Sequence, residues 1–167
     1  MYQTLEHIPD PAGALGEMLR VCRPGGTLCV VGPNLLSLGQ SLRTIRLTLN
    51  NRPLRRVFLR TPDMQRHPFG NTLPETLLGL PRTGLRLLRK RFSPRARFTL
   101  RKPDLKPPFC ADNDACYLCN PLDLIKFLPD NGADIVQVGA FDRSRLVYLL
   151  AAGTWIAARK RTRPAAA

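Results

Sequence analysis

Long apolar runs, regularly spaced cysteines and acidic residues are all scarce in this 167-residue sequence. No apolar run reaches the roughly 20 residues that span a bilayer, and the longest, residues 146–158, is interrupted by Gly153 and Thr154. The five cysteines are irregularly spaced, which argues against a disulfide framework. The amino terminus lacks a basic region followed by an apolar stretch, so we expect neither a signal peptide nor a membrane span. These features favour a cytoplasmic protein.

The excess of basic over acidic residues comes from one region of the sequence. The net charge is +14, from 26 Lys and Arg against 12 Asp and Glu. Residues 43–106 hold 17 of the 26 basic residues and only three acidic ones, so the rest of the chain is balanced. The same region contains seven prolines, which we expect to prevent long regular structure. The pattern predicts a neutral framework with a basic insert, in which short helices form at about 42–49 and 82–92.

Residues 10–31 have the pattern of a helix that turns into a strand. Asp10 can cap a helix with a proline in its first turn, and apolar residues follow at i, i+3, i+4 and i+7. A Gly-Gly turn then leads into Thr27–Val31, an apolar run that favours a strand buried on both faces of a mainly parallel sheet. Because a helix followed by such a strand is half of a βαβ unit, we expect a partner strand before residue 1.

The framework pattern resumes after the insert. Asn120 can cap a helix that ends at Gly132. Strands are predicted at residues 115–118, 134–138 and 154–158, with a helical stretch from about Arg143. We therefore divide the chain into a central strand and helix unit at 1–42, the basic insert at 43–111, the C-terminal strands and helix of the same domain at 112–160, and a disordered tail at 161–167.

Two parts of the sequence resemble the class I S-adenosylmethionine-dependent methyltransferases. The first is LEHIPDP at residues 5–11, followed by EMLRV at 17–21 and RPGGTL at 23–28. In that family this pattern marks the end of the fourth strand, the next helix and the turn into the fifth strand. The second is NPLDL at 120–124 with GADIV at 132–136, which resembles the family's last helix and sixth strand. The resemblance implies an α/β fold: an incomplete Rossmann-like sheet with a basic helical and loop insert.

The resemblance also implies S-adenosylmethionine as the cofactor. The family holds it mainly by a Gly-rich loop after the first strand and an acidic residue after the second. No Gly-x-Gly precedes a helix in this sequence. We therefore expect a C-terminal fragment of the enzyme, inactive by itself, that keeps only a cofactor-binding rim at Gln3, Thr4 and Leu5.

The catalytic candidates are His7 and Glu6, because the resemblance places them at the end of the fourth strand, near the transferred methyl group. His7 is suited to act as a general base; the alternative is that both residues only orient a loop. No metal site is predicted, because Gln3 stands where ubiquinone-type methyltransferases have a Glu ligand. A Cys-x-x-Cys pair at residues 116–119 lacks the second close pair that a structural zinc site usually has. The segment Asp112-Asn113-Asp114 is interpreted as a solvated turn.

The predicted function is S-adenosylmethionine-dependent methyl transfer to a saccharide, a lipid-linked molecule or another small-molecule acceptor. Candidates for binding the acceptor or an anionic group on it are Asn34, Arg86, Arg89 and Lys90. The insert's arginines also suit peripheral contact with an anionic membrane or a phosphate-bearing substrate. Few aromatic residues interleave with them, which disfavours nucleic acid. The alternatives are a non-enzymatic basic module that binds anionic lipid or nucleic acid, and a solvated basic surface without a ligand.

Overall fold

The computed structural model describes residues 1–51, 58, 72–103, 105, 114–141 and 146–162. In chain order the elements are a short 3-10 helix Leu5–His7, helix α1 Pro11–Val21, strand β1 Thr27–Pro33, helix α2 Leu38–Asn51, helix α3 Leu73–Phe92, helix α4 Pro121–Asp130, strand β2 Ala133–Ala140 and strand β3 Gly153–Lys160. The structure is mixed α/β, as the sequence predicted. None of the helices in these ranges has the length and apolarity required to cross a membrane.

The three strands form one antiparallel sheet in the order β1-β3-β2. β3 lies in the centre and pairs antiparallel with both neighbours, so the predicted mainly parallel sheet with Thr27–Val31 at its centre is wrong. β1 and β3 are far apart in the sequence, so no local pattern specifies the direction in which they pair. Residues 146–150, which lead into β3, form turns instead of the helix that was predicted, while Arg143 lies outside the described residues.

A short parallel pairing extends the sheet on the other side of β1. Tyr2 forms a parallel bridge with Val31. The amide of Gln3 donates to the carbonyl of Val31 at 2.7 Å, and the amide of Val31 donates to the carbonyl of Met1 at 2.9 Å. Since α1 connects this segment to β1, residues 1–33 follow the order of a βαβ unit. A parallel neighbour of β1 therefore lies at residues 1–3, and not before residue 1 as the sequence predicted.

β1 is buried on one face only. Leu28 and Val30 are buried, whereas Thr27 and Cys29 between them are exposed. The buried face shares a core with α1, α4 and β3, to which Leu15, Leu19, Leu124, Leu128, Ile156 and Ala158 contribute. The predicted burial of Thr27–Val31 on both faces is therefore wrong, because an apolar run alone does not tell one covered face from two.

The ends of α1 and α4 follow the local sequence signals. Asp10 and Asn120 are the N-caps, and each accepts a hydrogen bond from a backbone amide in the first turn. Both helices begin with proline, as predicted. Gly25 and Gly132 follow the two helices with φ of 74° and 83°, a conformation that suits glycine.

The basic region contains more regular structure than predicted. α3 spans 20 residues, with Pro81 inside it and another proline in its first turn. Thr72 and Glu75 form a capping box at its start, which satisfies two backbone amides. The expectation that prolines prevent long helices here is wrong for α3. Residues 52–57, 59–71, 104 and 106–111 of the insert lie outside the described residues, as do residues 112–113 and residues 163–167 of the predicted tail.

The predicted strand at 115–118 is not present. Tyr117 forms an isolated antiparallel bridge with Leu100 instead. The amides of Cys116 and Tyr117 both donate to the carbonyl of Glu6, at 2.7 and 2.9 Å. This segment therefore fastens the 3-10 helix that carries Glu6 and His7.

Candidate functional site

Two chain segments leave the sheet at the same edge. Residues 1–3 run into the 3-10 helix Leu5–His7, and β1 runs into Asn34. Parallel strands place their carboxyl ends at one edge, which is where open α/β sheets bind ligands. Gln3, at the exit of the first segment, has φ of 42°, in a left-handed region that costs a non-glycine residue roughly 1 kcal/mol. A Cβ built on Gly32 of β1 would lie 3.8 Å from Oε2 of Glu6, so the two exits adjoin.

The imidazole of His7 lies between two carboxylates. Its Nδ1 is 3.0 Å from Oδ2 of Asp114, and its Nε2 is 3.6 Å from Oε1 of Glu6. Both distances are within the range of an ion pair, and the second is too long for a hydrogen bond. A ring that carries its hydrogen on Nδ1, facing Asp114, has a lone pair on Nε2 that can accept a proton. The His7 side chain is 37% exposed, so a small molecule can reach it.

Glu6 supports this arrangement from inside. Its side chain is 3% exposed, and its carbonyl holds the backbone of residues 116 and 117. The same contact brings Asp114 beside His7. The sequence analysis missed Asp114, interpreting it as part of a solvated turn, because it lies on the far side of the basic insert from His7.

Only two of the three predicted cofactor-binding residues are accessible at this edge. Leu5 is buried in the core, while Gln3 and Thr4 are exposed. The hydroxyl of Thr4 donates to the carbonyl of Tyr2 at 2.7 Å, which leaves its lone pairs available as acceptors. These polar groups at the carboxyl edge fit one side of an S-adenosylmethionine site. Within the described ranges, no group of three His, Cys, Asp or Glu residues could hold a metal ion.

Asn34, a candidate for substrate binding, is fully buried. Its Nδ2 donates to the carbonyl of Val147 at 3.1 Å, and its Oδ1 accepts from Nδ2 of Asn120 at 3.0 Å. The Asn120 amide also donates to the carbonyl of Leu36 at 2.7 Å. The two asparagines therefore hold three chain segments together.

Lys90, a candidate for anion binding, is also buried. Its Nζ contacts Oδ2 of Asp123, which also accepts from the hydroxyl of Tyr117 at 2.7 Å. Burial lowers the pKa of Lys90 and raises the pKa of Asp123, and in each case the opposite charge of the partner counteracts the shift. Burial and the adjacent Asp123 raise the pKa of Tyr117 well above its usual value. Arg86 and Arg89, by contrast, are exposed, so the three predicted cations do not share one surface.

One segment of the chain is similar to a known protein family. No curated protein matches the sequence significantly. A family model described as "Methyltransferase domain" matches residues 1–30. The matched segment includes the parallel pairing residues, the 3-10 helix with Glu6 and His7, all of α1 and the first part of β1. Residues 1–30, which build most of the candidate site, are therefore similar to part of a methyltransferase domain.

Proposed function

We propose that this protein takes part in S-adenosylmethionine-dependent methyl transfer to a small-molecule acceptor, with His7 as the general base. The observation that carries the proposal is the position of His7. It lies in the segment that matches the methyltransferase family, and it follows a parallel pairing at the edge where α/β sheets bind ligands. Residues 1–3 pair parallel with β1, and α1 connects the two segments. This arrangement supports a Rossmann-like fold for this part of the sheet.

The residues around His7 suit an acceptor that loses a proton as it attacks. S-adenosylmethionine, when bound, supplies an electrophilic methyl group. The Nε2 atom of His7 accepts the proton from an O–H or N–H group of the acceptor. Asp114 holds the opposite ring nitrogen at 3.0 Å, which orients the ring and stabilises the imidazolium that forms. Gln3 and Thr4 contribute the rim of the cofactor site.

We further propose that other protein residues complete the cofactor site. A glycine-rich loop ahead of a helix does not occur in these 167 residues. The acceptor is a saccharide, a lipid-linked molecule or another small molecule, and Arg86 and Arg89 are candidates for contacting an anionic group on it. In this proposal the chain provides the base and the acceptor side of the reaction.

Photochemical labelling tests this proposal without knowledge of the acceptor. The protein is purified from its source cells, so that any further segment or bound chain is retained, and irradiated with methyl-tritiated S-adenosylmethionine. Label is expected in the tryptic peptide of residues 1–20, which contains Gln3, Thr4 and His7. Unlabelled S-adenosylmethionine should compete it away. Label that resists competition, or none in this peptide, contradicts the proposal.

A second candidate function is peripheral binding to an anionic membrane, and the exposed face of α3 favours it. Positions i, i+4, i+7, i+11 and i+14 of a helix share one face. In α3 these are Leu78, Arg82, Leu85, Arg89 and Phe92, all of them exposed. Apolar side chains on such a face enter the lipid interface while arginines contact lipid phosphates. We call these five residues the membrane-facing stripe. It does not include Lys90, one of the cations predicted to bind anions, because the Lys90 ammonium group is buried.

A further inference from the structure

A cavity of about 420 Å³ lies between α2, α3, α4 and the turn that precedes β3. Its volume is within the range of about 300–1,000 Å³ typical of small-molecule sites. Five leucines from these four elements line it: Leu38, Leu87, Leu88, Leu122 and Leu149. None of the lining residues belongs to the group around His7, so the cavity is a second candidate site.

The walls of the cavity are fixed by hydrogen bonds from the framework. The amide of Leu38 donates to the carbonyl of Leu149 at 2.7 Å. The side-chain amide of Asn34 holds the carbonyl of residue 147, and that of Asn120 holds the carbonyl of Tyr148 at 3.2 Å. These bonds anchor the turn to α2 and to the start of α4. The cavity is therefore part of the fold before any ligand arrives.

One charged side chain lines this apolar cavity. Arg91 of α3 is exposed, and its backbone carbonyl is fixed by a hydrogen bond of 3.1 Å from Lys126. In the part of the chain that the structure describes, the Arg91 guanidinium makes no ion pair and no hydrogen bond. A guanidinium presents a fork of donors that matches a carboxylate or a phosphate. Its position beside leucines suits a ligand with an apolar body and an anionic end.

We propose that this cavity binds an amphipathic anion, an apolar chain that ends in a carboxylate or phosphate. The chain lies among the leucines and the anionic group pairs with Arg91. The leucines exclude water from the chain, which supplies the affinity, and the arginine selects the charged end. This binding does not depend on methyl transfer, so it can be tested separately from the proposed activity.

Titration calorimetry of the purified chain with decanoate, below its micelle-forming concentration, tests the proposal. Saturable binding with one site per chain is expected for decanoate or for decyl phosphate, and the tighter of the two identifies the anionic group. Decanol should bind at least about tenfold more weakly than the tighter anion, because it cannot form the charge-assisted hydrogen bonds. Decanol binding as tight as the tighter anion, or no saturable binding of either anion, overturns the proposal.

Two matched pairs of variants locate the binding. A Cβ added at Gly84, which lines the cavity, meets nothing within 4 Å, and the same holds for Gly79 of the same helix, which does not line it. Gly84→Phe should fill the cavity and weaken decanoate binding at least about tenfold, whereas Gly79→Phe should not. Arg91→Gln should weaken it at least about tenfold relative to Arg95→Gln, an exposed position outside the cavity. Equal binding by Arg91→Gln and Arg95→Gln overturns the proposal even if Gly84→Phe does not fold.

Discussion

Lys90 of α3 and Asp123 of α4 form an ion pair inside the protein, with their side chains 3% and 1% exposed. The other oxygen of Asp123 accepts from the backbone amide of Arg97 at 3.2 Å. Lys126, one turn further along α4, donates to backbone carbonyls at the end of α3, including that of Arg91 at 3.1 Å. A basic helix is thus attached to the framework by buried or partly buried cations instead of by its apolar face alone.

Removing the cation of this pair should destabilise the fold in a pH-dependent way. Lys90→Met should lower the free energy of unfolding by about 3–5 kcal/mol near neutral pH, because it leaves a buried carboxylate without its partner. Burial already raises the pKa of Asp123, and losing Lys90 raises this pKa further. A carboxyl whose folded pKa exceeds its unfolded value adds stability at low pH, and this stability is lost as the pH rises through the folded pKa.

The loss in free energy of unfolding that Lys90→Met causes should therefore become smaller as the pH is lowered from neutral to about pH 5. Urea unfolding measures this loss at each pH. The exposed Lys102 provides the control, and Lys102→Met should stay within about 0.5 kcal/mol of the unchanged protein. A deficit that grows at acidic pH would show that Asp123 is not the group left uncompensated.

Gly39 at the start of α2 should not tolerate a side chain. A Cβ there would lie 1.8 Å from the carbonyl oxygen of Leu150, whose neighbour Leu149 is hydrogen-bonded to α2. Gly39→Ala should therefore lower the free energy of unfolding by about 1–3 kcal/mol. Gly79→Ala in α3 has open space and should stabilise by about 0.5–1 kcal/mol through helix propensity. Chemical denaturation compares the two, and equal midpoints would contradict the close approach of α2 to this turn.

Asp114 should affect the rate of methyl transfer without affecting stability. Asp114→Asn weakens the hold on the Nδ1 atom of His7, so kcat should fall by roughly tenfold or more while KM for the acceptor stays unchanged. The Asp114 side chain is 58% exposed, so Asp114→Asn should change the free energy of unfolding of the protein by less than about 0.5 kcal/mol. Steady-state kinetics and denaturation separate the two effects. An unchanged kcat, or a loss explained by unfolding, would rule out the orienting role.

The membrane-facing stripe of α3, together with the exposed Arg86 of the same helix, should bind anionic vesicles through three arginines. The triple change Arg82→Gln, Arg86→Gln and Arg89→Gln should weaken binding by about 3 kcal/mol, roughly a hundredfold, at about 1 kcal/mol per cation near the surface. A control with the same charge loss at exposed positions elsewhere, Arg43, Arg46 and Arg95 to Gln, should weaken it less. Sedimentation with vesicles at increasing salt measures both, and binding of the unchanged protein should fall steeply. Equal losses in the two triple variants would exclude a specific face.

Local signals in the sequence predicted the elements well where one residue type decides the conformation. Asp10 and Asn120 set the helix starts, and Gly25 and Gly132 set the turns that follow. The direction of strand pairing could not be predicted in this way, because the insertion of β3 between β1 and β2 is a non-local arrangement.

The candidate site was predicted only in part, for a similar reason. His7 and Glu6 were found through a local motif, whereas Asp114 reaches His7 from the far side of the insert. Lys90 looked like one of several surface cations. Only the packing of α3 on α4, which brings Asp123 to it, shows that it is internal.

The central claim is tested most directly by a transfer assay. It measures tritium moved from methyl-labelled S-adenosylmethionine to small molecules extracted from the source cells. Protein purified from those cells with its bound chains should label a discrete low-molecular-weight product. The same preparation carrying His7→Gln should do so at least about a hundredfold more slowly, because the general base is lost. No label above the protein-free blank, or equal rates with and without His7, would contradict the account.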